Sequence, residues 1–167
     1  NLTAQGKWLV TKYDVFNRPV LTLLYTCSST SATLQTEVYN APLNMYETLT
    51  EANIGNSSEF YGYGCTSWPT VTIGSCQLLT VTYYDKYYFN TSGTATAYEA
   101  AVINTNSLNN NVNGLVTATR TAVLNPAADM TNTMLLAVSY YDSYNRPIQS
   151  ISANHLGGTD KVCSKYD

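Results

Sequence analysis

The sequence predicts an all-β fold built of antiparallel hairpins. Short runs in which apolar and polar residues alternate recur along the chain, as in strands that bury one face. Tyrosine, which favours strands, accounts for 15 of the 167 residues. Apolar residues at helical spacing are hard to find. We therefore expect one β-rich region over residues 1–167, either an open, twisted antiparallel sheet or a two-layer sandwich.

Six runs have the alternating pattern of strands. In chain order they cover residues 7–13, 20–25, 78–84, 115–124, 135–141 and 148–153. The best helical window, residues 98–102, is about one turn long, so we expect at most a short helix there. A long loop is expected over residues 39–64. The polar run 104–113 closes with Asn113 and Gly114, which is typical of a turn that requires positive φ.

The charge and hydropathy of the chain argue against nucleic-acid binding and against a membrane-spanning segment. The chain has eight Lys and Arg against eleven Asp and Glu, a net charge of -3, and no basic stripe for a phosphate backbone. We therefore expect no nucleic-acid partner. A hydrophobic fraction of 44% suits a globular chain, but no run of about 18 apolar residues is present, so no membrane-spanning segment is expected.

One twelve-residue segment occurs twice. Residues 11–22 and 139–150 share a Tyr-Asp pair, then an aromatic residue and Asn-Arg-Pro before a strand. In such a hairpin loop the Asp side chain accepts from the backbone two residues on, Asn tolerates positive φ, and Arg pairs with Asp or stacks on an aromatic ring. The repeated residues are Tyr13, Asp14, Asn17, Arg18 and Pro19, then Tyr141, Asp142, Asn145, Arg146 and Pro147.

A degenerate third copy contains Tyr84 and Asp85 but lacks Asn-Arg-Pro, and the chain ends at Tyr166 and Asp167, where a fourth would begin. This pattern resembles the YD repeat of Rhs-type proteins, and residues 135–162 resemble the version in large Bacteroidetes surface proteins. The resemblance implies a fragment of a longer array of hairpins. In complete proteins of that kind the array forms a curved β shell around a C-terminal toxin or other cargo.

The reactive side chains do not form a recognisable catalytic or metal-binding motif. The four cysteines lack C-x-x-C spacing, so we expect no metal and no cofactor. A disulfide between Cys65 and Cys76 is geometrically possible, but spacing does not establish it. His155 is the only histidine, so a Ser or Cys mechanism would have to use it. A packed turn histidine is the commoner case, and we expect no catalytic residues.

Aromatic side chains form two clusters in the sequence. One comprises Phe60, Tyr61, Tyr63 and Trp68, and the other comprises Tyr83, Tyr84, Tyr87, Tyr88 and Phe89. Such rings either pack across strands or form a platform for a sugar or peptide. We favour packing, and regard the first cluster as the better binding candidate.

Two functions follow from these observations. The first is a non-enzymatic structural segment of a secreted or cell-surface bacterial YD-repeat protein, contributing to a β shell or stalk that encloses or presents cargo. Its partners would be the remaining repeats or the cargo domain, with edge-to-edge self-association of the fragment. The alternative is an adhesin-like module that binds a glycan or protein through exposed aromatic residues.

Overall fold

The structure, a computed structural model, describes residues 6–40, 44–100, 107–123 and 133–167. Most of its regular structure is β. The strands are β1 (Lys7–Tyr13), β2 (Pro19–Thr26), β3 (Cys76–Asp85), β4 (Val112–Val123), β5 (Thr133–Tyr141), β6 (Pro147–Ala153) and β7 (Thr159–Cys163). The helix α1 covers Ser31–Asn40, and 3-10 turns cover Glu51–Asn53, Ser57–Gly62 and Ile73–Ser75.

The strands are hydrogen-bonded to one another in sequence order, from β1 to β7. The registers show antiparallel pairing of β1 with β2, β2 with β3, β4 with β5, β5 with β6 and β6 with β7. The predicted all-β antiparallel fold is therefore confirmed, in its open-sheet form.

Each predicted strand corresponds to an observed one, and the described elements include two that the pattern did not predict. Strand β7 is short and mostly exposed, so it lacks the apolar alternation of a half-buried strand. Helix α1 buries no residue fully, and only Leu34 and Val38 are even half-buried. Residues 98–100, where a short helix was expected, are not helical, and residues 101–102 and 124 lie outside the described residues.

The chain divides into two compact units. The described part of the first is residues 6–40 and 44–81, and that of the second is residues 82–100, 107–123 and 133–167. The expectation of a single β-rich region over residues 1–167 stays a prediction. Among the described residues, no helix is both long and apolar enough to cross a membrane.

The core of the first unit forms on one face of its strands. Leu23 pairs with Val10 on β1 and with Leu78 on β3, and Leu21 pairs with Lys12 and Val81. Burying each aliphatic side chain contributes about 1.5–3 kcal/mol. The described part of the segment expected to be a long loop, residues 39–40 and 44–64, adds Ile54, Phe60 and Tyr63 to the buried residues of this unit. These three side chains therefore pack within the unit.

The second unit buries aromatic rings between strands and loops. Tyr140 on β5 packs against Tyr87 and Tyr98, with ring centroids 4.9 and 5.3 Å apart. Tyr83 on β3 packs edge-on against Phe89 at 5.2 Å. Each such pair contributes about 0.5–1.5 kcal/mol beyond burial of its surface. This part of the second aromatic cluster is a packed core.

Candidate functional site

The loop from β1 to β2 is organised around the Asp14 carboxylate. Its Oδ1 accepts from the backbone N–H groups of Phe16 and Arg18, both at 2.9 Å. Its Oδ2 accepts from Nε of Arg18 at 2.7 Å, and Nη2 lies at the same distance. The backbone N–H of Asp14 donates to the Arg18 carbonyl, and Asn17 has φ 60°. Both oxygens of the Asp14 carboxylate therefore accept hydrogen bonds from groups within the same loop.

The loop from β5 to β6 repeats this arrangement around Asp142. Its Oδ1 accepts from the backbone N–H groups of Tyr144 and Arg146, both at 2.9 Å, and its Oδ2 accepts from Arg146 Nε at 2.8 Å. Asn145 also has φ 60°. Loss of hydration raises the pKa of Asp142, but the Arg146 guanidinium and these backbone donors outweigh it, so that the pKa lies below its usual value.

The strand residues on either side of these loops also correspond. Tyr13 lies opposite Pro19, and Tyr141 lies opposite Pro147, in each case where the pairing register shifts by one residue. Proline suits this position because it has no ladder hydrogen bond to donate. In both loops the arginine lies 5.0 Å from the ring of the exposed aromatic residue, Phe16 or Tyr144. The repeated residues therefore build a hairpin end.

A third loop of the same design joins β6 to β7. Asn154 replaces the aspartate, and its Oδ1 accepts from the N–H groups of Leu156 at 3.1 Å and Gly158 at 2.9 Å. Gly157 occupies the position of positive φ, at 84°. The repeated sequence pattern did not reveal this copy, because it shares with the other two loops only the side-chain oxygen of its first residue and the positive φ of its fourth.

The degenerate copy at Tyr84 and Asp85 does not form this loop. Asp85 itself has φ 70°, and its Oδ1 accepts from the backbone N–H of Gly114, at 2.7 Å, in the neighbouring strand β4. Gly114 has the predicted positive φ, at 83°, but it lies inside β4 rather than in a turn before it. Tyr84 is half-buried.

A buried ion pair in the first unit was not predicted. The side chains of Lys12 and Glu47 are 1% and 0% exposed, with Nζ and Oε1 3.8 Å apart. Nζ donates to the carbonyls of Ser67 and Pro69, while Oε1 accepts from Ser67 N at 2.9 Å and Oγ at 2.6 Å. Burial lowers the pKa of Lys12, and nearby Cys65 and Glu47 oppose this. The alternating pattern of β1 could have placed Lys12 on the buried face.

The four cysteines are free thiols in the structure. Burial raises the pKa of Cys65 to about 12 and that of Cys76 to about 11. A disulfide between these two residues stays a prediction. Cys27 differs, because hydrogen bonds from Ser29 lower the pKa of its thiol.

The predicted aromatic binding cluster is divided between core and surface. Phe60 and Tyr63 are 4% and 3% exposed, so they pack inside the first unit. Tyr61 and Trp68 are half-buried. Ligand binding by this cluster stays a prediction. Of its four residues, Tyr61 and Trp68 are the two with substantial accessible surface.

Trp68 and Trp8 both line a groove of about 420 Å³ in the first unit. Its walls are strand β1, helix α1 and residues 68–69. Sequence reasoning missed this site because Trp8, Tyr25 and Trp68 are far apart in the chain.

The sequence offers one histidine, and the structure describes its position. His155 is exposed at the second position of the Asn154 loop. Within the described ranges, no three or more His, Cys, Asp or Glu residues are grouped to hold a metal ion.

Comparisons with family models, with curated proteins and with solved structures found no match for this chain, so the YD-repeat resemblance rests on the motifs themselves.

Proposed function

We propose that this chain is a non-enzymatic structural segment of a secreted or cell-surface YD-repeat protein. In that protein its hairpins would add strands to a longer β array that forms a shell or stalk and encloses or presents cargo. The remaining repeats and the cargo domain are the proposed partners.

The observation that carries this proposal is that the aspartate and the arginine of each complete motif copy bind each other within one loop. The carboxylates of Asp14 and Asp142 accept from backbone N–H groups and from Arg18 and Arg146. Carboxylates that bind groups of their own loop stabilise the end of a hairpin. A general acid or base, in contrast, must be placed to exchange a proton with a substrate. The loop design also recurs at Asn154, which supports a repeated structural unit.

The two outer strands offer the surface through which such an array would continue. Strand β1 pairs with β2 and strand β7 with β6, each at one end of the strand order. Both carry exposed apolar side chains: Leu9 is 60% exposed and Val162 is 62% exposed. Outer strands of this kind favour pairing with another strand.

The test is sedimentation velocity over a range of protein concentrations. We expect the wild-type chain to associate as its concentration rises, and we expect Leu9→Lys and Val162→Lys to weaken that association, because charged residues on edge strands oppose pairing. Leu156→Lys is the matched control, since Leu156 is 83% exposed in a hairpin loop. A concentration-independent wild-type monomer, or equal effects of all three variants, would contradict the proposal.

The alternative proposal is an adhesin-like module that binds a glycan or protein through exposed aromatic residues. Its support is the accessible surface of Tyr61 and Trp68. A glycan array probed with wild type, Tyr61→Ala and Trp68→Ala tests it: both substitutions should reduce any signal, and a blank array counts against it.

A further inference from the structure

Both tryptophans of the chain line the same groove, which we call the tryptophan groove. Trp8 lies on β1 and Trp68 lies after the 3-10 turn Ser57–Gly62. Tyr25, the register partner of Trp8 on β2, also lines it. Helix α1 forms a further wall, through Leu34, Gln35 and Val38. Three aromatic side chains thus border one concave site.

Among the residues that the structure describes, those that line the groove carry no charged side chain. Besides the aromatic and aliphatic residues it includes Thr11, Ser31 and Gln35, whose hydroxyl and amide groups both donate and accept hydrogen bonds. An anionic ligand would find no cation here, and a cationic ligand would find no carboxylate. The site therefore matches an uncharged ligand that has apolar faces and polar edges.

We propose that the tryptophan groove binds a neutral sugar ring of a saccharide. The axial C–H groups of a pyranose give it a flat apolar face that suits an indole ring, and its hydroxyl groups suit amide and hydroxyl partners. The volume, about 420 Å³, is that of a small-ligand pocket. This binding is independent of the proposed scaffold role. It rests on the alternative proposal of glycan binding, and it shares Trp68 with the predicted aromatic cluster but not Tyr61.

The wall that carries Trp68 is held in place by buried polar contacts. The backbone N–H of Trp68 donates to the Asn44 carbonyl at 2.8 Å. On either side of it, the carbonyls of Ser67 and Pro69 accept from the buried Lys12 ammonium, the latter at 2.6 Å. Because these contacts hold the backbone before any ligand arrives, binding loses little conformational entropy at this wall.

The wall that α1 forms is held weakly. Helix α1 buries no residue fully and contacts the groove through Leu34 and Val38, one turn apart. In the same groove lining, the Nε1–H of Trp8 is shielded from water and has no hydrogen-bond partner among the described residues. Such a donor costs free energy until it finds an acceptor. A sugar hydroxyl oxygen is an acceptor of this kind.

Tryptophan fluorescence tests the proposal directly, because the chain has two tryptophans and both line the groove. The full chain is titrated with four neutral hexasaccharides, of β-1,4-glucose, α-1,4-glucose, β-1,3-glucose and β-1,4-N-acetylglucosamine. We expect at least one to give a saturable change in emission on excitation of tryptophan. If none does at millimolar concentration, the proposal is wrong.

Substitutions then locate the binding. Isothermal titration calorimetry with the responding saccharide should show affinity about tenfold weaker for Trp68→Ala, which removes the stacking surface. Trp8→Phe retains a ring but removes the unpartnered N–H, and we expect a loss of about fivefold. Circular dichroism confirms that each variant is folded.

Tyr39→Ala is the matched control, since Tyr39 is an aromatic residue of α1 that is 79% exposed and does not line the groove. It should bind as wild type does. Equal loss in the control and in Trp68→Ala, or unchanged binding in both Trp variants, would overturn the assignment. A response to an uncharged leucine-rich peptide with none to any saccharide would also overturn it.

Discussion

The carboxylate of Asp142 is bound by both the backbone and the side chain of Arg146. Oδ1 accepts from the Arg146 N–H at 2.9 Å, and Oδ2 accepts from its Nε at 2.8 Å. Asp142 is only 2% exposed, and Arg146 supplies a polar partner to each of its two buried carboxylate oxygens. Arg18 does the same for Asp14, which makes this pair the repeated structural unit of the chain.

The first prediction concerns acid stability. The pKa of Asp142 is lowered in the folded protein, so its ionised form stabilises the fold at pH values above about 4, the pKa in the unfolded chain. This contribution is lost as the pH falls from about 4 through the lower folded value. We expect Asp142→Asn to be less stable than wild type at pH 7, with a difference that narrows below pH 4. Urea unfolding across this range measures it.

Asp167→Asn makes the same charge change at an exposed position and serves as the control. Its stability difference from wild type should stay small at every pH. If the deficit of Asp142→Asn were the same at pH 3 and pH 7, ionisation of Asp142 would not stabilise the loop.

The second prediction concerns the third loop. Gly157 has φ 84°, and a Cβ placed there would meet no atom within 4 Å, so Gly157→Ala tests backbone conformation alone. We expect a loss of about 1 kcal/mol in the free energy of unfolding, because a side chain disfavours positive φ. Gly55 has equally open surroundings without the positive φ, so Gly55→Ala should cost less. Equal losses in chemical denaturation would refute the loop assignment.

How far the sequence predicts this structure depends on whether the signal is local. Strands such as β1 were predictable because side-chain alternation reports a half-buried face directly. The Asp14 loop was predictable because its contacts lie within five residues. The Asn154 loop shares that geometry but little sequence. The contacts of Lys12 with Ser67, and the groove that Trp8 and Trp68 both line, form only when distant segments fold together.

The third prediction concerns the buried pair of Lys12 and Glu47. Removing one partner leaves the other charge buried, so Lys12→Met and Glu47→Leu should each destabilise the protein by about 3–5 kcal/mol. The double variant leaves neither charge, and its loss should be smaller than the sum of the two. Urea unfolding of all four proteins gives the interaction energy. If the loss of the double variant equalled the sum of the two single losses to within about 0.5 kcal/mol, the two groups would not interact.

The fourth prediction concerns the order in which the thiols react. The thiolate is the reactive form, and the pKa of Cys27 is lowered whereas those of Cys65 and Cys76 are raised to about 12 and about 11. At pH 8 the thiolate fraction of Cys27 therefore exceeds that of either buried cysteine.

We expect iodoacetamide to label Cys27 of the native, reduced protein well before Cys65 or Cys76, as followed by peptide mass spectrometry. Unfolding in urea should remove the difference, because it exposes all three thiols and restores ordinary pKa values. Ser29→Ala is the specific control: it removes the hydroxyl that helps to lower the Cys27 pKa, so labelling of Cys27 should slow while Cys65 and Cys76 stay protected. If Cys65 of the native protein were labelled as fast as Cys27, the predicted order would be wrong, and the core of the first unit would have to open readily.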